Sequence, residues 1–133
     1  MEVHVPGIEF SLPGIGGGIA LARDFTRRAL AGWAYLGSHD DVVLVVSELL
    51  TNAQRHGRGV PLLRLAGTGN RVRVEVSDAS PVPPRARQSG PDGGWGVHLV
   101  ERLSHRWGVS FADNGGGKVV WCELVAENGV APG

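Results

Sequence analysis

The sequence predicts an α+β two-layer sandwich, a mixed, mostly antiparallel sheet with about three helices on one of its faces. Three observations lead there. Residues 71–77 alternate strictly, Val72, Val74 and Val76 against Arg71, Arg73 and Glu75, as in a strand with one face on a core and one in water. Residues 19–35 and 39–56 instead repeat apolar side chains at helical spacing. The strand-like runs are also joined in pairs by short glycine-containing turns, which makes neighbours antiparallel and leaves the helices to cover one side of the sheet.

Taken in order, residues 1–12 read as an extended segment, with Val3, Val5, Ile8, Phe10 and Leu12 interrupted by Pro6, which suits an edge strand. The glycine cluster 14–18 is a turn. It lacks the third glycine of a dinucleotide-binding G-x-G-x-x-G, because Ile19 or Leu21 stands there, and no G-K-[ST] follows. Ile19, Ala22, Phe25, Ala29, Leu30 and Trp33 mark the first helix, and Arg23, Asp24, Arg27 and Arg28 form a solvated face. Gly37 breaks the pattern, and Ser38 is placed to cap a second helix over 39–56, with Asp40 and Asp41 in its first turn and Gly57 at its end. Residues 62–66 and 71–77 form a hairpin around Gly67-Thr68-Gly69-Asn70. The proline-rich stretch 79–92 shows no periodicity and is a long loop, a length that compact domains usually keep for function. Val97, Val100, Leu103 and Trp107 mark a third helix, over about 97–106, and residues 107–112 and 118–125 form a terminal hairpin. The reading is one domain over 1–126, with a frayed tail over 127–133.

Composition narrows the function. The 133 residues include 42% hydrophobic side chains, enough for a packed core, and 13 basic against 13 acidic groups, a formal net charge of +0. That balance, with no basic stripe, gives little basis for nucleic-acid binding. Lys118 is the sole lysine, the other basic residues being arginine. One cysteine, Cys122, excludes an intrachain disulfide and a cysteine-cluster metal site, and the five histidines lack metal-ligand spacing. There is no apolar run of membrane-spanning length and no leader pattern, so the expectation is a soluble, cytoplasmic protein with no membrane partner.

The most informative stretch is Ser47-Glu48-Leu49-Leu50-Thr51-Asn52-Ala53-Gln54-Arg55-His56-Gly57. Glu48, Asn52 and His56 are each four residues from the last. On a helix they share an arc of about 80° and span about 12 Å of axis. A carboxylate beside buried leucines costs several kcal/mol unless paired or hydrated, so either something polar faces this stripe or it is a wet surface.

Three motifs together resemble those of the histidine-kinase-like ATPases, the Bergerat-fold family. Glu48-Leu49-Leu50-Thr51-Asn52-Ala53-x-x-His56 looks like the N-box, Asp78 at a strand end resembles the first glycine-box aspartate, and Gly94-Trp95-Gly96-Val97 after the loop resembles the second glycine box. The similarity covers about residues 10–125. It is nearest the short single-domain branch resembling anti-sigma-factor serine/threonine kinases, which Arg106-Trp107-Gly108 and Gly117-Lys118-x-Val120-Trp121 also fit.

The resemblance implies ATP and Mg²⁺ as cofactors. Asn52 would ligate the metal, Glu48 would be the general base, and Asp78 would accept a hydrogen bond from the adenine amino group. Gly94, Gly96 and Val97, opening the third helix, would approach phosphate, and loop 79–92 would be the lid. His56 is either a further pocket residue or a helix-end imidazole stabilising the last carbonyls. The implied partners are proteins, an anti-sigma-factor antagonist and/or a sigma factor, and homodimer formation stays open.

The sequence departs from the family pattern at three places. Ala79-Ser80-Pro81 replaces the glycines after the aspartate, Trp95 stands where the branch usually has Arg, and Val119 stands where Thr is frequent. These departures keep a second reading in play, a non-catalytic interaction module of the same fold with weak or absent ATP binding.

Overall fold

The computed structural model describes residues 7–13, 17–82 and 96–126. Gly94 and Trp95, most of the expected lid, the start of the glycine cluster and the tail lie outside them. The order is β1 (Ile8–Ser11), α1 (Gly18–Gly32), α2 (His39–His56), β2 (Leu62–Gly67), β3 (Arg71–Asp78), α3 (Gly96–Leu103), β4 (Arg106–Phe111) and β5 (Lys118–Val125). The strands form a five-stranded sheet in the order β1-β2-β3-β5-β4. All four pairings are antiparallel, so the expected mixed sheet is antiparallel throughout among the described residues.

Strand alternation builds one apolar face. Val72, Val74 and Val76 of β3 pair with Leu124, Cys122 and Val120 of β5, and with Gly67, Leu65 and Leu63 of β2. Helix α2 lays Val42, Val45, Val46, Leu49, Leu50 and Ala53 on that face, and α1 adds Ala22, Thr26 and Leu30. Each fully buried Leu or Val contributes about 1.5–3 kcal/mol, so α2 is the main tie between the layers. The other face carries Arg73, Trp121, Glu123 and Arg106. There Arg73 lies over the Trp121 ring at 4.4 Å, and Glu123 takes hydrogen bonds from Arg106 and Arg73.

Helix α2 keeps its expected bounds for the expected reasons. Ser38 Oγ accepts from Asp41 N at 3.1 Å, Asp40 and Asp41 sit at the positive end of the dipole, and Gly57 N donates to Ala53 O at the other end. Two boundaries differ from expectation. Helix α1 stops three residues before 35 because Ala34 takes a left-handed φ of 53°. That turn lets Leu36 N donate to Gly69 O, tying the connection to the β2–β3 turn. The Trp33 ring packs where a side chain on Gly67 would stand, 2.6 Å from an added Cβ. Helix α3 ends at Leu103 rather than 106, because His105 N donates to Glu123 O and draws the chain into the sheet. Trp107, which fits both the helical spacing and the start of the strand over 107–112, belongs to β4 opposite Cys122.

Candidate functional site

The C-terminal half of α2 carries the stripe. Leu49, Leu50 and Ala53 point into the core, which rotates Glu48 and Asn52 to the edge of the interface, where both are half-buried. Among the described residues, neither side chain takes part in a hydrogen bond or ion pair. A half-buried carboxylate and amide one turn apart, without partners among the described residues, form a polar ledge able to hold a cation and accept a proton. His56, the last residue of α2, is exposed and stands with Arg55 in the turn where the helix dipole favours positive charge.

Helix α1 contributes more than a solvated face. Arg23 Nε donates to Ser47 Oγ at 2.8 Å, placing a guanidinium beside the residue that precedes Glu48, and Arg27 pairs with Asp40 at 3.1 Å. Both arginines thus bridge the two helices.

The end of α2 meets the end of β3. Ala79 N donates to Arg58 O, and Asp78 lies so close to Gly57 that a Cβ there would stand 2.7 Å from its Cγ and 2.8 Å from Oδ2. Only glycine at 57 leaves room for this carboxylate. The structure therefore brings Asp78 to the last turn of the helix that carries Glu48 and Asn52. Gly96 and Val97 form the start of α3, which packs on α2, with Val100 buried between them. Gly94 lies outside the described residues.

The feature that sequence reading missed is the partner of Asp78. The β3–β5 register sets Asp78 opposite Lys118, on the helix-covered face. Lys118 Nζ lies 3.1 Å from both Asp78 Oδ1 and Oδ2 and 3.2 Å from Ser80 O. Asp78 Oδ1 also accepts from Ser80 N at 2.7 Å. The side chains are only 6% and 2% exposed, so this is a buried ion pair. Its electrostatic reason is local. Asp78 sits against the carbonyl end of α2, where the dipole disfavours negative charge, and the ammonium offsets both. Val119, which stands where Thr is frequent in the family, belongs to the opposite face, beside Ser77 and Ser110. The hairpin turn closes over the strand end at Gly117 (φ 142°), where a side chain would collide with the Asp78 carbonyl.

A pocket of about 460 Å³ opens at the ends of these strands, lined by Asp78, Ala79, Phe111 and Lys118 and also by Ser77, Ser110 and Val119 of the opposite face. A smaller one of about 240 Å³ lies at the other end of α2, around Ser38, Asp41 and Arg102, away from the stripe. No group of three or more metal-binding side chains occurs among the described residues. Mg²⁺ takes only one or two protein oxygens and keeps waters and phosphates as its other ligands, and the Asn52 amide oxygen beside Glu48 is the donor set on the stripe. The stripe end thus fits a metal–phosphate group as it stands, whereas the Asp78 end fits an adenine only if Lys118 yields.

Residues 18–123 match the family described as the histidine kinase-like ATPase domain. No curated protein matches the chain. Among solved structures, the crystal structure of the RsbU and RsbW domains of Rv1364c from Mycobacterium tuberculosis is similar. It has a TM-score of 0.61 and 24% identity, covering 90% of this chain and 32% of that one. The chain spans about a third of that protein's length, and the likeness is one of fold.

Proposed function

The chain belongs to the histidine kinase-like ATPase domain family, and from that premise we propose that it binds ATP with Mg²⁺ and phosphorylates a protein serine or threonine, as a kinase of the anti-sigma-factor type. The observation that carries this is the half-buried pair Glu48 and Asn52, whose side chains have no hydrogen-bond or ion-pair partner among the described residues, one turn apart on the helix whose end meets Asp78.

Bound Mg²⁺-ATP would supply the γ-phosphoryl group, which passes to the acceptor oxygen as its bond to ADP breaks, with the metal offsetting the phosphate charge. Asn52 would hold the metal through its amide oxygen, a hard ligand that adds no charge to the site. Glu48 takes the proton of the acceptor hydroxyl, a task its half-buried position suits because the carboxylate is reachable yet not fully solvated. The first amides of α3, from Gly96 and Val97, supply donors and a positive dipole end for phosphate oxygens. Asp78 accepts from the exocyclic amino group of adenine. The protein receiving the phosphate is an anti-sigma-factor antagonist, with a sigma factor as the alternative ligand.

One observation favours a second reading, a partner-holding module with weak or absent nucleotide binding. The Asp78 carboxylate is already engaged by Lys118. The separating experiment is thermal unfolding with Mg²⁺-ATP. A kinase is stabilised by the nucleotide, and Asn52→Ala loses the Mg²⁺-dependent part. Absence of any nucleotide effect favours the module.

A further inference from the structure

We propose that Lys118 is an internal competitor for the nucleotide base at Asp78, and so the residue that sets both nucleotide affinity and base preference in this chain. This rests on the nucleotide reading of the stripe. An ammonium has three donors, and Lys118 uses all of them, on Asp78 Oδ1, Asp78 Oδ2 and Ser80 O. The carboxylate is also closed on its other sides, by Ser80 N on Oδ1 and by Gly57 packed against Oδ2. An incoming amino group therefore meets an acceptor already satisfied by a full charge.

Adding the base without moving Lys118 gains little, and moving Lys118 breaks a buried ion pair, which is costly unless a new donor reaches Asp78 at the same time. Lys118 is among the residues lining the 460 Å³ pocket at the strand ends, and its flexible four-carbon stem allows the ammonium positions other than the one on Asp78. Nucleotide binding is then an exchange of donors at Asp78, ammonium out and base amino group in. The same exchange flattens base choice. Only a base that offers a donor to Asp78 has to displace the ammonium, so the cost of the exchange falls on adenine and offsets the preference the carboxylate would give it.

The test is calorimetric titration of the full chain with Mg²⁺-ATP and Mg²⁺-GTP, in wild type, Lys118→Thr and Lys118→Met. Both neutral variants are expected to bind ATP at least tenfold more tightly than wild type, with a matching rise in the ATP-to-GTP preference. Lys118→Arg, which keeps the charge, is expected to stay as weak as wild type. Equal, measurable ATP affinity in wild type and the neutral variants overturns the competitor role and leaves the nucleotide reading standing. No binding by any variant at millimolar ATP overturns both.

A second measurement needs no variant that might fail to fold. Lys118 is the sole lysine, so amine labelling followed by mass spectrometry of its peptide reads this side chain directly. Without nucleotide, labelling of the native protein is expected to be at least tenfold slower than in denatured protein. Saturating Mg²⁺-ATP is expected to speed it several-fold. Unchanged or slower labelling, at an ATP concentration that raises the melting temperature, overturns the exchange.

Discussion

Glu123→Gln tests the electrostatics of the open sheet face. Glu123 sits on β5 with a side chain 9% exposed, its Oε1 2.8 Å from Arg106 Nε and its Oε2 2.9 Å from Arg73 Nη1, while Arg71 stands at 3.7 Å. The Arg106 hydrogen bond holds the carboxyl below the usual range, burial opposes it, and the Arg73 hydrogen bond adds to the lowering. A depressed carboxyl stabilises the fold above its unfolded pKa of about 4.3, and that contribution disappears as pH falls through the folded value. Glutamine keeps the shape and loses the charge. A hydrogen bond to a charged group contributes about 1.5–3 kcal/mol when buried, and two of the arginines are more than half exposed. The expected loss at pH 7 is therefore about 1–3 kcal/mol, a fall of roughly 3–15 °C in melting temperature for a domain of this size. Thermal unfolding of both proteins from pH 7 to pH 3 provides the assay. The gap should be open at pH 7 and narrow below about 4.3. A gap that is absent at pH 7, or that stays constant into acid, refutes the reasoning.

Leu50→Ala removes a fully buried side chain from the α2–sheet interface and should cost about 2.7–5 kcal/mol in urea unfolding. Leu44→Ala, on the same helix but 43% exposed, should stay within about 1 kcal/mol of wild type, and equal losses would contradict the helix orientation. Glu48→Ala should abolish phosphate transfer to a cognate protein acceptor while leaving ATP affinity largely intact. Retained transfer would remove Glu48 from its role.

The parts of the fold legible in the sequence are those fixed by local chemistry. Ser38 and Gly57 bracket α2 through capping and chain reversal, and β3 announces itself by alternation over Val72, Val74 and Val76. The parts that were not legible depend on contacts distant in sequence. A left-handed alanine carries no mark in the sequence, so the stop of α1 at Gly32, just before Ala34, reads as more helix. Trp107 satisfies both a helical and a strand period, and only the His105–Glu123 hydrogen bond assigns it to the sheet. Arg23 and Arg27 read as solvated until the α1–α2 packing gave them Ser47 and Asp40.

The candidate site divides the same way. The spacing of Glu48 and Asn52 is local and could be read directly. The Asp78–Lys118 pair spans 40 residues and depends on strand register, which the sequence shows only as two polar residues at core-facing strand ends. A polar residue at the end of each of two alternating strands is the signal that such a pair leaves.

The central claim is that the polar stripe of α2 faces a magnesium nucleotide. The measurement that tests it most directly is the melting temperature of wild type, Asn52→Ala and Lys118→Thr against rising ATP, with and without Mg²⁺. Ligand at about 100 times its dissociation constant adds about 2.7 kcal/mol of stability, a shift of roughly 8–14 °C here. The expected result is a Mg²⁺-dependent rise in wild type, a loss of its Mg²⁺-dependent part in Asn52→Ala, and the same rise at lower ATP in Lys118→Thr. No shift in either wild type or Lys118→Thr at millimolar Mg²⁺-ATP would contradict it.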